Sequence, residues 1–160
     1  TLSANVLVNY LIKYKSAALP TLPMVDYVGT LGTEENALNF GAYEYRVLTS
    51  LNYSVGKVQL GLQWQHLPAV EDSAEATIAT TTVGASAYDI FHFNGSYAVA
   101  DNFTIRFGVE NLFNPAPPLT NYNPANSSAA TTGLLSGGTY SGSLYDTSGR
   151  RFYLGANVKF

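Results

Sequence analysis

The chain has no cysteine, and only one methionine and one tryptophan among its 160 residues. Without thiols it is not a disulfide-stapled secreted module, a Cys-ligated zinc domain or a thiol redox protein. Charge is scarce too: Asp, Glu, Lys and Arg make up 12% of the residues, about half the share of an average soluble protein. A net charge of -3, with the eight Lys and Arg spread along the chain, removes the electrostatic footprint of a nucleic-acid binder, so no such partner is expected. Long apolar runs are missing as well, none approaching the ~18 to 20 residues of a membrane-spanning helix. A mean hydropathy of +0.03 nevertheless leaves room for strands that cross a membrane, because only alternate residues of such a strand meet lipid. No leader segment precedes Thr1, which reads as lying within a strand, so the chain is expected to begin in mid-structure.

What the sequence does have is aromatic residues, with 12 Tyr and 8 Phe, set in segments that alternate apolar and polar positions. Six of these are near the ~9 to 11 residues that cross a bilayer at a tilt. Leu2 to Tyr14 places Leu2, Ala4, Val6, Val8, Tyr10, Ile12 and Tyr14 on one face, and Ser3, Asn5, Asn9 and Lys13 on the other. Tyr43 to Ser54 sets Tyr43, Tyr45, Val47, Thr49, Leu51 and Tyr53 against Glu44, Arg46, Leu48, Ser50 and Asn52. In Lys57 to His66, Val58, Leu60, Leu62 and Trp64 oppose Lys57, Gln59, Gly61, Gln63 and Gln65. Tyr88 to Val99 alternates less cleanly and its parity is ambiguous near Ile90. Asn102 to Phe113 and Arg150 to Phe160 are the clearest, the latter with Phe152, Leu154, Ala156, Val158 and Phe160 opposite Arg151, Tyr153, Gly155, Asn157 and Lys159.

The connections alternate in length. Tight turns are expected at Val55-Gly56 and Ala100-Asp101, and long loops at Ser16 to Ala42, Leu67 to Ala87 and Asn114 to Gly149, the last with Asp146 as its only charge. Short periplasmic turns and long extracellular loops are the pattern of outer-membrane barrels, and long structureless loops are uncommon in compact soluble domains. Aromatic residues then fall into two belts: Tyr53, Tyr97, Phe103 and Phe160 at the turn end, and Tyr14, Tyr43, Trp64, Phe91, Phe113 and Phe152 at the loop end. The expected fold is all-β, an antiparallel transmembrane β-barrel segment of about six long strands. A soluble β-sandwich also alternates, but its strands average about 5 to 6 residues.

From Tyr88 onward the residues resemble the end of the TonB-dependent receptor family of outer-membrane transporters. Tyr97 closes one strand. Asn102-Phe103-Thr104-Ile105-Arg106-Phe107-Gly108-Val109-Glu110-Asn111-Leu112-Phe113-Asn114 forms the next, followed by Pro117-Pro118, Tyr145-Asp146, Gly149-Arg150-Arg151-Phe152-Tyr153-Leu154-Gly155 and Lys159-Phe160. Asp26-Tyr27-Val28-Gly29-Thr30 is similar to a segment farther upstream in such barrels. The resemblance implies residues 1-160 as the C-terminal part of a 22-stranded barrel whose N-terminal plug and TonB box are missing here. It further implies import of a scarce nutrient, such as a ferric siderophore, cobalamin or a glycan, driven by the TonB complex through that missing region. Six strands are fewer than the eight of the smallest single-chain barrels, so the chain is expected to belong to a longer polypeptide rather than to transport anything alone.

No enzyme and no cofactor are expected, and the partners are outer-membrane lipid, the barrel-assembly machinery and a nutrient ligand of unknown identity. Phe152, Leu154, Ala156, Val158 and Phe160 form an alternating terminal strand of the kind the assembly machinery would extend by strand addition. Glu110 and Arg151, near the ends of neighbouring strands on the polar, lumen-facing side, are positioned to pair. Tyr122, Asn123, Asn126 and Tyr140 in the last loop offer rings and amides to a sugar or chelate. His66 and His92 are too far apart for a local metal motif, and Gly137-Gly138 lacks the Lys of a phosphate loop. His92, Asn94 and Ser96 carry the residue types of a hydrolase but alternate on one strand with nothing to orient a nucleophile. Two further readings are a structural or adhesive barrel assembled from several chains and a soluble β-sandwich that binds carbohydrate.

Overall fold

Extended segments must pair their backbone N–H and C=O groups, and the alternating segments do so with one another. The computed structural model describes residues 1–17, 19–31, 42–72, 84–120, 139–140, 142 and 144–159. In chain order the strands are β1 (Leu2–Tyr10), β2 (Lys15–Ser16), β3 (Val25–Asp26), β4 (Tyr45–Val55), β5 (Val58–Leu67), β6 (Tyr88–Ala100), β7 (Phe103–Glu110), β8 (Leu119–Thr120), β9 (Thr139–Tyr140) and β10 (Arg151–Val158). The six long strands make one antiparallel sheet in the order β1-β4-β5-β6-β7-β10, each beside the next long strand in sequence. β2–β3 and β8–β9 are separate two-residue ribbons. The fold is all-β, with no helix among the described residues. The sheet is open: among the described residues, β1 and β10 each pair on one side only.

Register places the alternating residues in continuous rows. Leu2, Tyr53, Leu60, Gly95, Phe107 and Leu154 lie side by side across all six strands, and Ala4, Leu51, Leu62, Phe93, Val109 and Phe152 form the next row on the same face. The opposite face carries Ser3, Asn52, Gly61, Asn94, Gly108 and Tyr153, then Ser54, Gln59, Ser96, Arg106 and Gly155. Among the described residues no other strand packs over the apolar face: Leu51 (41%) and Tyr53 (45%) on β4 stay exposed, and Leu60, Leu62, Phe93 and Phe107 on the central strands are half-buried by their neighbours in the sheet. Where bulk is missing, a neighbouring ring fills in. The Phe107 ring lies 2.5 Å from where a Cβ on Gly95 would sit, and the Tyr153 ring covers Gly108 on the other face.

The buried core sits instead at the loop end of the polar face. There Leu31, Tyr43, Leu67, Val70, Ala85, Tyr88, Ile90 and Tyr145 pack together. Loop backbones are stitched to one another over it: Thr30 bridges Ala42 and Glu71, and Val70 bridges Ala85.

Several boundaries differ from the sequence reading. The first strand ends at Tyr10 rather than Tyr14, because Asp26 Oδ1 accepts the backbone N–H groups of Tyr14 (3.2 Å) and Val28 (3.3 Å) and draws the chain into the β2–β3 ribbon. Tyr14 therefore packs on Tyr27, with centroids 6.4 Å apart, and not in an aromatic belt. β4 begins only at Tyr45, and Tyr43 before it swings to the other face, buried under the Arg46 guanidinium at 4.7 Å from its ring centroid. β7 stops at Glu110, since Asn111 (φ 55) and Asn114 (φ 54) turn the backbone left-handed. Both tight turns shift by one residue. Gly56-Lys57 links Val55 to Val58, with the positive φ of 53 at Gly56 that a first turn position of this hairpin class requires. Asp101-Asn102 links Ala100 to Phe103 beside a bulge at Val99.

Candidate functional site

Arg151 opens β10 directly opposite Glu110 at the end of β7, and its Nε lies 2.7 Å from Glu110 Oε2. The same guanidinium takes a second acid, Asp146, with Nη1 3.1 Å from Oδ1 and Nη2 3.3 Å from Oδ2. Such a two-point contact matches the fixed fork of an arginine. Asp146 also accepts the Ser148 backbone N–H at 2.9 Å. Sequence reasoning found the Glu110–Arg151 neighbours from strand register but left Asp146 unassigned, although it is the one charge in its loop. Arg151 thereby ties the segment just before β10 down onto the polar face, where Tyr145 enters the core.

Burial tends to raise the Asp146 carboxyl, but the Ser148 N–H and the Arg151 guanidinium outweigh it and hold the group below the usual carboxylate range. A depressed folded-state value means the latch contributes fully above the ordinary carboxylate pKa of about 4 and is lost as pH falls through the lower folded value. Limited proteolysis of the 144–148 segment is therefore expected to be slow from pH 7 to pH 5 and to rise only below about pH 4. A steady rate down to pH 3 would remove Asp146 as the latch.

Two hollows flank the buried tyrosines on the polar face. One of about 510 Å³ is bordered by Asn9, Tyr14, Tyr43, Arg46 and Gln65. A second of about 210 Å³ is bordered by Gln65, His92, Tyr145, Asp146 and Arg151. The Tyr43 and Tyr145 hydroxyls are neighbours in the core, yet neither completes a hydrogen bond to a described group. Burial pushes both phenols up from their ordinary range, so they stay un-ionised. Leu7, Leu11, Val47 and Leu48 also line the larger hollow, so its wall is mainly apolar, with Asn9, Arg46 and Gln65 as a few polar groups within it.

His92, Asn94 and Ser96 engage separate partners. His92 Nδ1 accepts the Asn111 N–H at 3.4 Å, Asn94 lies over Gly61, and Ser96 Oγ donates to Gln59 Oε1 at 3.5 Å. They are not strung into a relay. Among the described residues no three His, Asp or Glu side chains gather closely enough to hold a metal ion.

One cluster escaped the sequence reading. At the loop end of the apolar face, Asp89 Oδ1 lies 2.7 Å from Trp64 Nε1 and 2.8 Å from His66 Nδ1. The Tyr45 ring stacks on His66 at 5.8 Å, and Phe91 stacks on Trp64 at 6.3 Å. The signal was available, because Asp89, Phe91 and Phe93 share parity, but the uneven alternation near Ile90 obscured it.

Of the terminal-strand residues, Phe152, Leu154, Ala156 and Val158 alternate on the apolar face of edge strand β10, and Phe160 lies outside the described residues. Among the loop residues singled out for ligand contact, Tyr122, Asn123 and Asn126 also lie outside them. Tyr140 falls in ribbon β9, whose backbone alone is described. Comparison with protein-family models, curated proteins and solved structures finds no match to this chain.

Proposed function

We propose that this chain is part of the wall of an outer-membrane β-barrel of the TonB-dependent transporter kind, contributing lipid-facing strands, external loops and an assembly edge to import of a scarce nutrient. The observation that carries the reading is the bare apolar face. A soluble protein rarely leaves a contiguous apolar surface uncovered, and this one extends over all six strands. From Val58 to His66 it climbs about 26 Å at ~3.3 Å per residue, which at a tilt of about 40° spans about 20 Å, close to the ~25 Å apolar band of such barrels. A sandwich would need a second sheet over this face, and the small ribbons among the described residues hold two residues per strand.

The edges support the same reading. β1 contains no charge and no proline, and β10 has only Arg151 at its start, so neither carries the usual protection against pairing. Unpaired backbone groups in lipid cost several kcal/mol each, so further strands must close the wall. They belong either to the same polypeptide, which is our primary reading, or to other copies of the chain. The nutrient, whether ferric siderophore, cobalamin or glycan, would enter from the loop end, and the TonB complex would engage a separate N-terminal region.

A blot of outer membranes with an antibody to residues 150–160, boiled and unboiled, tests this. A heat-modifiable band several times the chain's 17.2 kDa is expected. A 17.2 kDa species in the soluble fraction would overturn the reading, and the same species in the membrane would favour a barrel of several chains.

A further inference from the structure

Arg106 on β7 and Arg151 on β10 stand on the same polar face, but their neighbours treat them differently. Glu110 and Asp146 hold Arg151, whereas Arg106 makes no hydrogen bond or ion pair among the described residues. Its cross-strand neighbours are Ser96 on β6 and Gly155 on β10, and along β7 the next residues on this face are Thr104 and Gly108. All four are small and uncharged. A Cβ on Gly155 would meet nothing within 4 Å, so the position directly across from Arg106 is open space.

Toward β4 the polar face sinks into a hollow of about 410 Å³, bordered by Asn52, Gln59, Asn94, Ser96, Arg106 and Tyr153. Its size is that of a small-molecule pocket. Every polar side chain on this border carries a donor, and none is a carboxylate. Arg106 lies about 10 Å from the turn end of β7 at ~3.3 Å per residue, so the hollow is distinct from the two at the loop end. With no acid to satisfy it, the planar fork of Arg106 is left for whatever enters. An oxyanion matches that fork with two parallel N–H···O contacts, and the amides and the Tyr153 hydroxyl can donate to its remaining lone pairs. A cation would be repelled, and a neutral sugar would leave the charge uncompensated. We propose that this hollow binds a small organic anion, with a carboxylate or phosphate group seated on Arg106. The inference rests on the reading that the polar face lines the interior of a closed wall. It places there, on the turn side, a position that favours anionic over neutral solutes.

The test uses the assembled protein in washed outer membranes. Phenylglyoxal modifies accessible arginines, and peptide mass spectrometry reads the extent at each one. Gluconate, glucose 6-phosphate and glucose share a carbon skeleton and differ in charge. At about 20 mM, gluconate or glucose 6-phosphate should slow modification of Arg106 about threefold, as a dissociation constant of ~10 mM would give, and glucose should not. Arg150, exposed and outside the hollow, should react at one rate throughout. Gly155→Glu sets a carboxylate directly across from Arg106, and should slow Arg106 severalfold without additives and abolish the effect of gluconate. Protection by neither anion, or equal protection by glucose, overturns the site. A wild-type Arg106 that is unreactive without additives overturns it too, because protein then fills the hollow. The wild-type comparison decides even where Gly155→Glu fails to assemble. All of this is read on protein that shows the heat-modifiable band, so failure of the site leaves the closed wall in place. A preparation without that band overturns the closed wall, and the site with it.

Discussion

Leu62→Arg is expected to abolish accumulation of the assembled protein in the outer membrane. Leu62 sits in the middle of β5 and in the centre of the apolar face, opposite Leu51 on one side and Phe93 on the other. A cationic side chain there would lie near the bilayer midplane, at a cost of about 2 to 4 kcal/mol, and snorkelling is least effective at that depth. The control is one residue away: Gln63→Arg projects from the polar face, between Ser50 and His92, and is expected to assemble as the wild type does. The readout is the heat-modifiable fraction in washed outer membranes. Equal assembly of both variants would sink the proposal that this face meets lipid, because the two substitutions differ only in the side of the sheet they reach.

Asn111→Val should destabilise the folded chain by about 2 kcal/mol, whereas Asn111→Gly should change stability by only a few tenths. Asn111 is fully buried and has a φ of 55, a region that glycine and asparagine enter and β-branched residues avoid. Its turn lets β7 end while the next residue, Leu112, still donates its N–H to Phe91 O at 2.7 Å. The Asn111 N–H itself reaches His92 Nδ1 on the polar face. A valine would strain this link between β7 and β6 without changing the apolar face. Urea midpoints of the reconstituted chain measure the difference, and a valine variant as stable as the wild type would show that the left-handed turn is not required.

The two substitutions probe different parts of the molecule. Leu62→Arg addresses the environment of one sheet face, and Asn111→Val addresses how the strands end and hand over to loops. The latch made by Arg151 and Asp146 belongs with the second group, since it fixes a loop segment on the polar face without touching the apolar one. The Asp89 cluster belongs with the first.

Sequence periodicity alone determined that this chain makes six long strands with two faces, in up-and-down order, with its long connections at one end. Side chains of an extended strand alternate every residue, so a row such as Leu60, Leu62 and Trp64 declares its face without knowledge of any partner. The closeness of Glu110 and Arg151 was legible because both stand on the polar face near the loop ends of consecutive strands, whereas the exact register across the long β7–β10 connection came from the structure. Local pattern could not decide where strands stop. Tyr43 keeps the parity of Tyr45 and so read as part of the apolar face, but a bend at Glu44 turns it into the core beside Tyr145, a residue about a hundred positions away. Asp26 ended the first strand by capping two N–H groups, a side-chain contact that alternation does not encode. Only the tertiary structure brought Asp146 to Arg151, joined Asp89 to Trp64 and His66, and laid the loops over one end of the polar face. Each of these depends on long-range packing and hydrogen bonding between distant segments, whereas a strand's face depends only on the residues within it.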